Sequence, residues 1–182
     1  MTVYEKIDSW IDAHFDEQVA FLQALIRVPT DTPPGNNAPH AERTAELLIA
    51  MGFDVEKHPV PAAEVHAAGL QSITNLIVRR KYGEKDGAGK TVLLNAHGDV
   101  VPPGEGWTKD PYGGEIDNGN IYGRAAAVSK CDFRHMLLQY AHWKQSPNPR
   151  MAALSCCSLT TKSLAVRSAR LGCLSTRSSN LT

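Results

Sequence analysis

The chain has 182 residues, 42% of them hydrophobic, and its 19 Lys and Arg balance 19 Asp and Glu, so the formal net charge is +0. This length is sufficient for one domain with a hydrophobic core. Because no apolar run approaches the roughly 18 residues of a membrane-spanning helix, we expect neither a membrane protein nor a membrane partner.

The first fifty residues predict two helices separated by a loop. Apolar residues recur at helical spacing from Ile7 to Ile26, and residues 30–36, TDTPPGN, have the composition of a loop. A second helix should begin near Pro39, a residue type favoured in the first turn. It should end before Gly52, which suits a C-terminal cap.

The following segments predict strands and turns. Strand patterns occupy residues 53–60, 72–79 and 91–95 and, as a hairpin around Asn118-Gly119, residues 115–122. Residues 81–90 have hairpin or loop composition, residues 91–95 are apolar enough for a central strand, and a helix is expected over residues 131–143. The alternation of helices and strands favours an α/β layered domain, with a mixed sheet flanked by helices.

His97 and Asp99 lie immediately after the apolar strand 91–95, in a loop rich in Pro and Gly. Residues two apart share a face while the backbone stays extended. An imidazole at the end of a strand, with a carboxylate that orients its ring, can serve as a metal ligand. The pair is therefore a candidate metal-binding element.

Several short motifs around this pair match one protein family. The pattern HxDxVPxG is matched by His97, Asp99, Val101, Pro102 and Gly104, and further matches are residues 25–35, Trp107, Asp110-Pro111-Tyr112, Gly119 and Tyr122-Gly123-Arg124. In these motifs the chain resembles the dizinc aminoacylase and carboxypeptidase family, peptidase family twenty. That family includes acetylornithine deacetylases, succinyl-diaminopimelate desuccinylases and carboxypeptidase G. The resemblance covers roughly residues 1–143, about the first third of a typical member.

The resemblance implies a zinc-dependent amidohydrolase, deacylase or peptidase that acts on N-acyl amino acids or small peptides. It implies two zinc ions, with cobalt as a possible substitute, that share a carboxylate and an attacking water, with a glutamate as general base. By this resemblance His97 would ligate one zinc, and Asp99 would act in catalysis by holding that imidazole in the correct tautomer. The family's lid domain would be absent, and the oligomeric state stays open.

The chain departs from the family's pattern after Arg124. The family reads GRGxxD, and its Asp bridges the metals, whereas Val128 is the closest match here and has no lone pair to donate. Asp132 is the nearby carboxylate; it is either a metal ligand or an ordinary acid at a helix start, where it favours the macrodipole. No Asp or Glu follows Asp132, so the expected paired glutamates and the general base are missing.

Residues 133–182 differ in composition from the preceding part. They contain seven Lys and Arg and no acid, a net charge of +7, whereas residues 1–132 contain 12 bases and 19 acids, a net charge of −7. Eight of the eleven serines also lie there. The bases form no stripe interleaved with aromatic residues, so we expect no nucleic-acid partner.

The four cysteines also lie late in the sequence, at Cys131, Cys156, Cys157 and Cys173. The adjacent pair Cys156 and Cys157 fits no zinc-site spacing, and no secretory signal peptide precedes the chain. We expect free thiols in a reducing compartment, which predicts a cytoplasmic location.

We divide the chain into residues 1–133, the N-terminal part of a metallopeptidase-like catalytic domain, and residues 134–182, a divergent tail that is frameshifted or disordered. The chain is then an enzyme by lineage, apparently truncated and without its general base. The alternatives are an inactive fragment and an interaction module that a partner chain completes at an open sheet edge.

The reading-frame hypothesis is tested on the coding DNA. Translation of the other two frames beyond codon 130 should give an acidic segment with paired glutamates, because the general base and further metal ligands are expected there. If neither frame contains such a segment, a shifted frame does not explain the tail.

Overall fold

The computed structural model describes residues 2–80, 91–133, 136 and 153–159. These residues include four helices with complete bounds: α1 (Val3–Ala13), α2 (Phe15–Ile26), α3 (Ala38–Ala50) and α4 (Ala62–Ala67). They include six strands: β1 (Val55–Pro59), β2 (Thr74–Arg80), β3 (Thr91–His97), β4 (Glu115–Asp117), β5 (Asn120–Tyr122) and β6 (Ala153–Leu159). A further helix begins at Lys130.

The N-terminal helical pattern forms two helices where the sequence predicted one. Thr2 caps α1 through a capping box with Glu5. The break falls at His14, whose φ and ψ of −114° and 15° leave the helical region. His14 Nδ1 lies 2.8 Å from the carbonyl oxygen of Trp10, and the two rings stack with their centroids 4.2 Å apart. The apolar spacing continues across this break, so periodicity alone does not reveal it.

Helix α3 confirms the second predicted helix. Pro39 lies in its first turn, and Gly52, one residue beyond the C-cap, adopts a φ of 83° that glycine accommodates without strain. The helix packs against α2, β1 and β2. Helix α4 was not predicted, since six residues are too few to establish a helical period.

The main sheet has four described strands in the order β1-β2-β6-β3. Strand β2 pairs antiparallel with both β1 and β6, and β6 pairs in parallel with β3. The prediction of residues 91–95 as a central strand was wrong for the described sheet, where β3 is an outer strand. Strand β6, which comes from the segment assigned to a patternless tail, lies between β2 and β3, and no described strand pairs with the other edge of β3.

The boundary between residues 133 and 134 stays a prediction, although β6 lies beyond it. Other expectations fall wholly or partly outside the described residues: the loop 81–90 and most of the helix 131–143. The hairpin around Asn118-Gly119 is confirmed by β4 and β5, with φ values of 49° and 77° at those two residues. Both values suit the tight turn of a two-residue hairpin.

The main core cluster lies between the helices and the sheet. Its buried members are Phe21, Leu25, Leu48, Phe53, Val78, Ala96 and Phe133. Among the described residues, no helix is long and apolar enough to cross a membrane.

Two ionisable side chains are buried beside this core. His40 is 1% exposed, with its ring edge-on to Phe133 at a centroid distance of 6.0 Å. Lys130 is 0% exposed, and its Nζ donates hydrogen bonds to the carbonyl oxygens of Leu25 and Val28, at 2.9 and 2.8 Å. Burial lowers the pKa of Lys130 to about 7, with the charge of Asp31 opposing that shift.

His40 makes the stability of the fold depend on pH. Burial, and then the charge of Lys130, lower the pKa of His40 from 6.5 to about 3. Below pH 6.5 His40 becomes protonated in the unfolded chain, whereas in the folded chain it stays neutral until about pH 3. The free energy of unfolding therefore falls as the pH decreases through this range. The expected loss between pH 7 and pH 5 is about 2 kcal/mol.

Urea unfolding at both pH values measures this loss. His40→Leu should remove most of it, whereas the control His66→Leu, at an exposed position of α4, should retain it. An equal pH dependence in His40→Leu and the wild type would contradict this assignment.

Candidate functional site

The candidate site is centred on His97, the last residue of β3. Its Nδ1 lies 3.1 Å from the backbone carbonyl oxygen of Asp99 and 3.2 Å from that residue's Oδ1. The side chains of His97 and Asp99 are 28% and 16% exposed. Two oxygen acceptors at Nδ1 favour the tautomer with its proton on Nδ1, which leaves the lone pair on Nε2.

This arrangement differs in detail from the sequence prediction. We expected Asp99 to orient the ring with its carboxylate, on a backbone that stays extended. Strand β3 instead ends at His97, and the hydrogen bond to Nδ1 is made by the carbonyl oxygen of Asp99, with the carboxylate beside it. The carbonyl oxygen and Oδ1 of Asp99 therefore both lie close to His97 Nδ1.

The loop that contains Asp99 is paired with the segment after α2. Val100 N donates to the carbonyl oxygen of Thr30 at 3.1 Å, and Thr32 N donates to that of Val100 at 2.7 Å. The Thr30 hydroxyl, in a side chain only 1% exposed, donates to the carbonyl oxygen of Gly98 at 2.7 Å. We refer to these contacts between residues 30–32 and 98–100 as the loop bridge.

Tyr112 contacts the part of the loop bridge formed by residues 30–32. Its hydroxyl donates to the Asp31 carboxylate and lies 2.5 Å from each oxygen. Burial, followed by the hydrogen bond to Asp31, raises the pKa of Tyr112. Tyr112 lies in one of the motifs that match the family, whereas the sequence indicated no role for Thr30 or Asp31, since no local pattern reports a contact between distant loops.

Asp132 lies in the first turn of the helix that begins at Lys130. Its Oδ2 accepts a hydrogen bond of 2.5 Å from the hydroxyl of Ser129, and its backbone N–H donates to the carbonyl oxygen of Ser129. These local contacts are those of an acid at a helix start, one of the two predicted alternatives. Its assignment as a metal ligand stays a prediction.

The residues that the structure describes do not fit the two-zinc centre that the resemblance implies. Among the described residues, no three His, Cys, Asp or Glu side chains form a group that could hold a metal ion. Val128, at the position where the family pattern has its bridging Asp, is 67% exposed and offers no donor atom.

The sequence that follows β6 also lacks the acidic residues that a two-metal site at this edge of the sheet would need. His97 pairs with Leu159 in the parallel register of β3 and β6, so the two strands end at the same edge of the sheet. In open sheets with parallel strands, sites form at the carboxyl ends of neighbouring strands. The sequence after Leu159 continues with Thr160, Thr161 and Lys162 and contains no carboxylate up to residue 182.

No family model matches this sequence. The chain is 39% identical over 114 residues to a succinyl-diaminopimelate desuccinylase of Methylobacterium nodulans, a match over 62% of this chain and 26% of that protein. It is 40% identical over 121 residues to a protein of the same name from Methylorubrum populi, over 65% and 28% of the two chains. The chain thus spans about a quarter of the length of these curated relatives.

Solved structures share the fold at lower sequence identity. The di-peptidase Dug1p of Saccharomyces cerevisiae superposes with a TM-score of 0.64 at 23% identity, over 92% of this chain and 36% of its own. The M20 family metallo-carboxypeptidase Sso-CP2 of Sulfolobus solfataricus gives 0.56 at 16% identity, over 79% and 30%. The sequence match and the shared fold confirm the predicted relationship: the chain is a homologue of part of the succinyl-diaminopimelate desuccinylases, and its α/β fold is that of part of the M20 family peptidases.

Proposed function

We propose that this chain contributes one metal ligand, His97, to the catalytic domain of a metal-dependent hydrolase lineage, and that the 182-residue polypeptide does not catalyse hydrolysis by itself. The observation that supports the ligand is the contact between His97 Nδ1 and Asp99. Once Nδ1 carries the proton, the Nε2 lone pair is free to bind a metal.

The metal that suits such a ligand is zinc, with cobalt as a substitute. Imidazole nitrogen and carboxylate oxygen are donors that zinc accepts in hydrolytic sites. In our proposal Asp99 orients His97, and Asp132, whose Oδ2 accepts a hydrogen bond from Ser129, is the remaining candidate ligand. These donors are too few for a stable two-metal centre.

The substrate class follows from the relatives and belongs to the lineage as a whole. Their names describe a desuccinylase, a di-peptidase and a metallo-carboxypeptidase. All three names imply cleavage of an amide bond in a small molecule or at the end of a peptide. We therefore propose N-acyl amino acids or small peptides as the substrates, and a cytoplasmic location consistent with the free thiols expected from the sequence.

We propose that this polypeptide has no turnover because of where its acidic residues end in the sequence. General-base catalysis of amide hydrolysis needs a carboxylate or imidazole within hydrogen-bond reach of the attacking water. The last acid in the sequence is Asp132. No later residue of this sequence can provide the glutamate that the resemblance implies.

Zinc titration of the metal-free chain tests this proposal. We expect fewer than two zinc ions retained per chain, with binding at His97 that is lost in His97→Ala, because this variant removes the oriented Nε2 donor. Asp99→Ala removes the carboxylate beside Nδ1 but keeps the carbonyl oxygen that accepts from it, so this variant should weaken the same binding by no more than about tenfold. Calorimetry with metal analysis after gel filtration measures both quantities.

The control His66→Ala removes an exposed histidine of α4 and should leave this binding unchanged. An assay of N-acyl amino acid and dipeptide cleavage should detect no turnover by any of these proteins. Two tightly retained zinc ions together with turnover by the wild-type chain would refute the proposal.

A further inference from the structure

The geometry at His97 depends on the backbone of residue 99. Its carbonyl oxygen is the atom that accepts from Nδ1, at 3.1 Å. The backbone atoms on either side of that carbonyl, Gly98 O and Val100 N, are both bonded to Thr30. The position of the acceptor is therefore set by the loop bridge rather than by β3, which ends at His97.

Asp31 is the middle residue of the other side of the loop bridge. It pairs with Val100 in a parallel bridge, and its carboxylate accepts the hydroxyl of Tyr112, which lies 81 residues away in sequence. Tyr112 is itself fixed by its backbone N–H, which donates to Asp110 Oδ1 at 2.8 Å. The Tyr112 hydroxyl therefore ties the loop bridge to the turn that Asp110 stabilises.

A third contact anchors the turn that contains Tyr112. The backbone N–H of Arg124 donates to the carbonyl oxygen of Pro111 at 2.6 Å, while Arg124 Nε donates to the carbonyl oxygen of Val101 at 2.7 Å. Arg124 thus joins the residue before Tyr112 to the residue after the loop bridge. Tyr112, Asp31 and the segment around Asp99 form one closed set of contacts.

We propose that Tyr112 is a positioning residue for His97: its bond to Asp31 fixes the loop bridge, and the loop bridge holds the Asp99 carbonyl oxygen where it accepts a hydrogen bond from His97 Nδ1–H. This inference deepens the proposed function, since it rests on Nε2 of His97 being the metal donor. Loss of the Tyr112 hydroxyl frees Asp31 and lets residues 98–100 shift. A displacement of a few tenths of an ångström lengthens the Nδ1 contact and weakens the preference for one tautomer.

The tautomer ratio of His97 tests this inference without any metal. In ¹⁵N-labelled protein, the two ring nitrogens of a neutral histidine have different chemical shifts according to which one is protonated. In Tyr112→Phe we expect the ratio of the Nδ1–H to the Nε2–H form to fall by up to about fivefold, the factor that complete loss of the Nδ1 hydrogen bond would give. Thr30→Val keeps the side-chain volume, removes the bond to Gly98 O and should change the ratio in the same direction.

Tyr4→Phe is the matched control, because Tyr4 is 79% exposed on α1 and should leave the ratio unchanged. Tyr112→Phe and Thr30→Val could instead melt at a lower temperature and keep the wild-type tautomer ratio. That result would show that the two residues only stabilise the fold, and it would overturn the inference. If Tyr112→Phe does not fold, Thr30→Val decides the question.

A zinc titration monitored at the same nitrogens separates this inference from the proposed function. Zinc that shifts other histidines but not His97 would refute the proposed function. The tautomer ratio measured without metal would still decide whether Tyr112 positions His97.

Discussion

The pairing of residues 30–32 with residues 98–100 is the contact on which the rest of the candidate site depends. Through it the segment after α2 fixes the backbone on both sides of Asp99. Asp31 in this segment accepts the Tyr112 hydroxyl, and the stretch just before it, from the end of α2 to Val28, accepts hydrogen bonds from the buried Lys130 Nζ at Leu25 and Val28. Three distant parts of the chain thus take their positions from one short stretch of backbone.

Local features of this architecture could be predicted from the sequence, because local chemistry decides them. Pro39 and Gly52 mark the ends of α3, and Asn118-Gly119 marks the turn between β4 and β5. The apolar run of β3 and the short motif after it located His97 and Asp99 correctly at a strand end. In each case residues within a few positions of one another contain the whole signal.

The contacts that organise the site could not be predicted, since they join residues far apart in sequence. Thr30 and Gly98 are 68 residues apart, and Lys130 and Leu25 are 105 apart. No periodicity or spacing encodes such pairs. The central place of β6 was missed for a related reason: its sequence, ALSCCSL, mixes polar and apolar residues without alternation, and only its two neighbouring strands define it as part of the sheet.

Taken together, the described residues preserve the scaffold that orients one histidine and lack the further donors of a paired-metal centre. X-ray absorption at the zinc edge of the zinc-loaded chain tests this claim most directly, because it reports the ligands and any neighbouring metal. We expect one imidazole ligand per zinc, no signal from a second metal, and loss of the imidazole signal in His97→Ala. A zinc–zinc distance of ~3.5–4 Å, the separation typical of two-metal hydrolases, would contradict it.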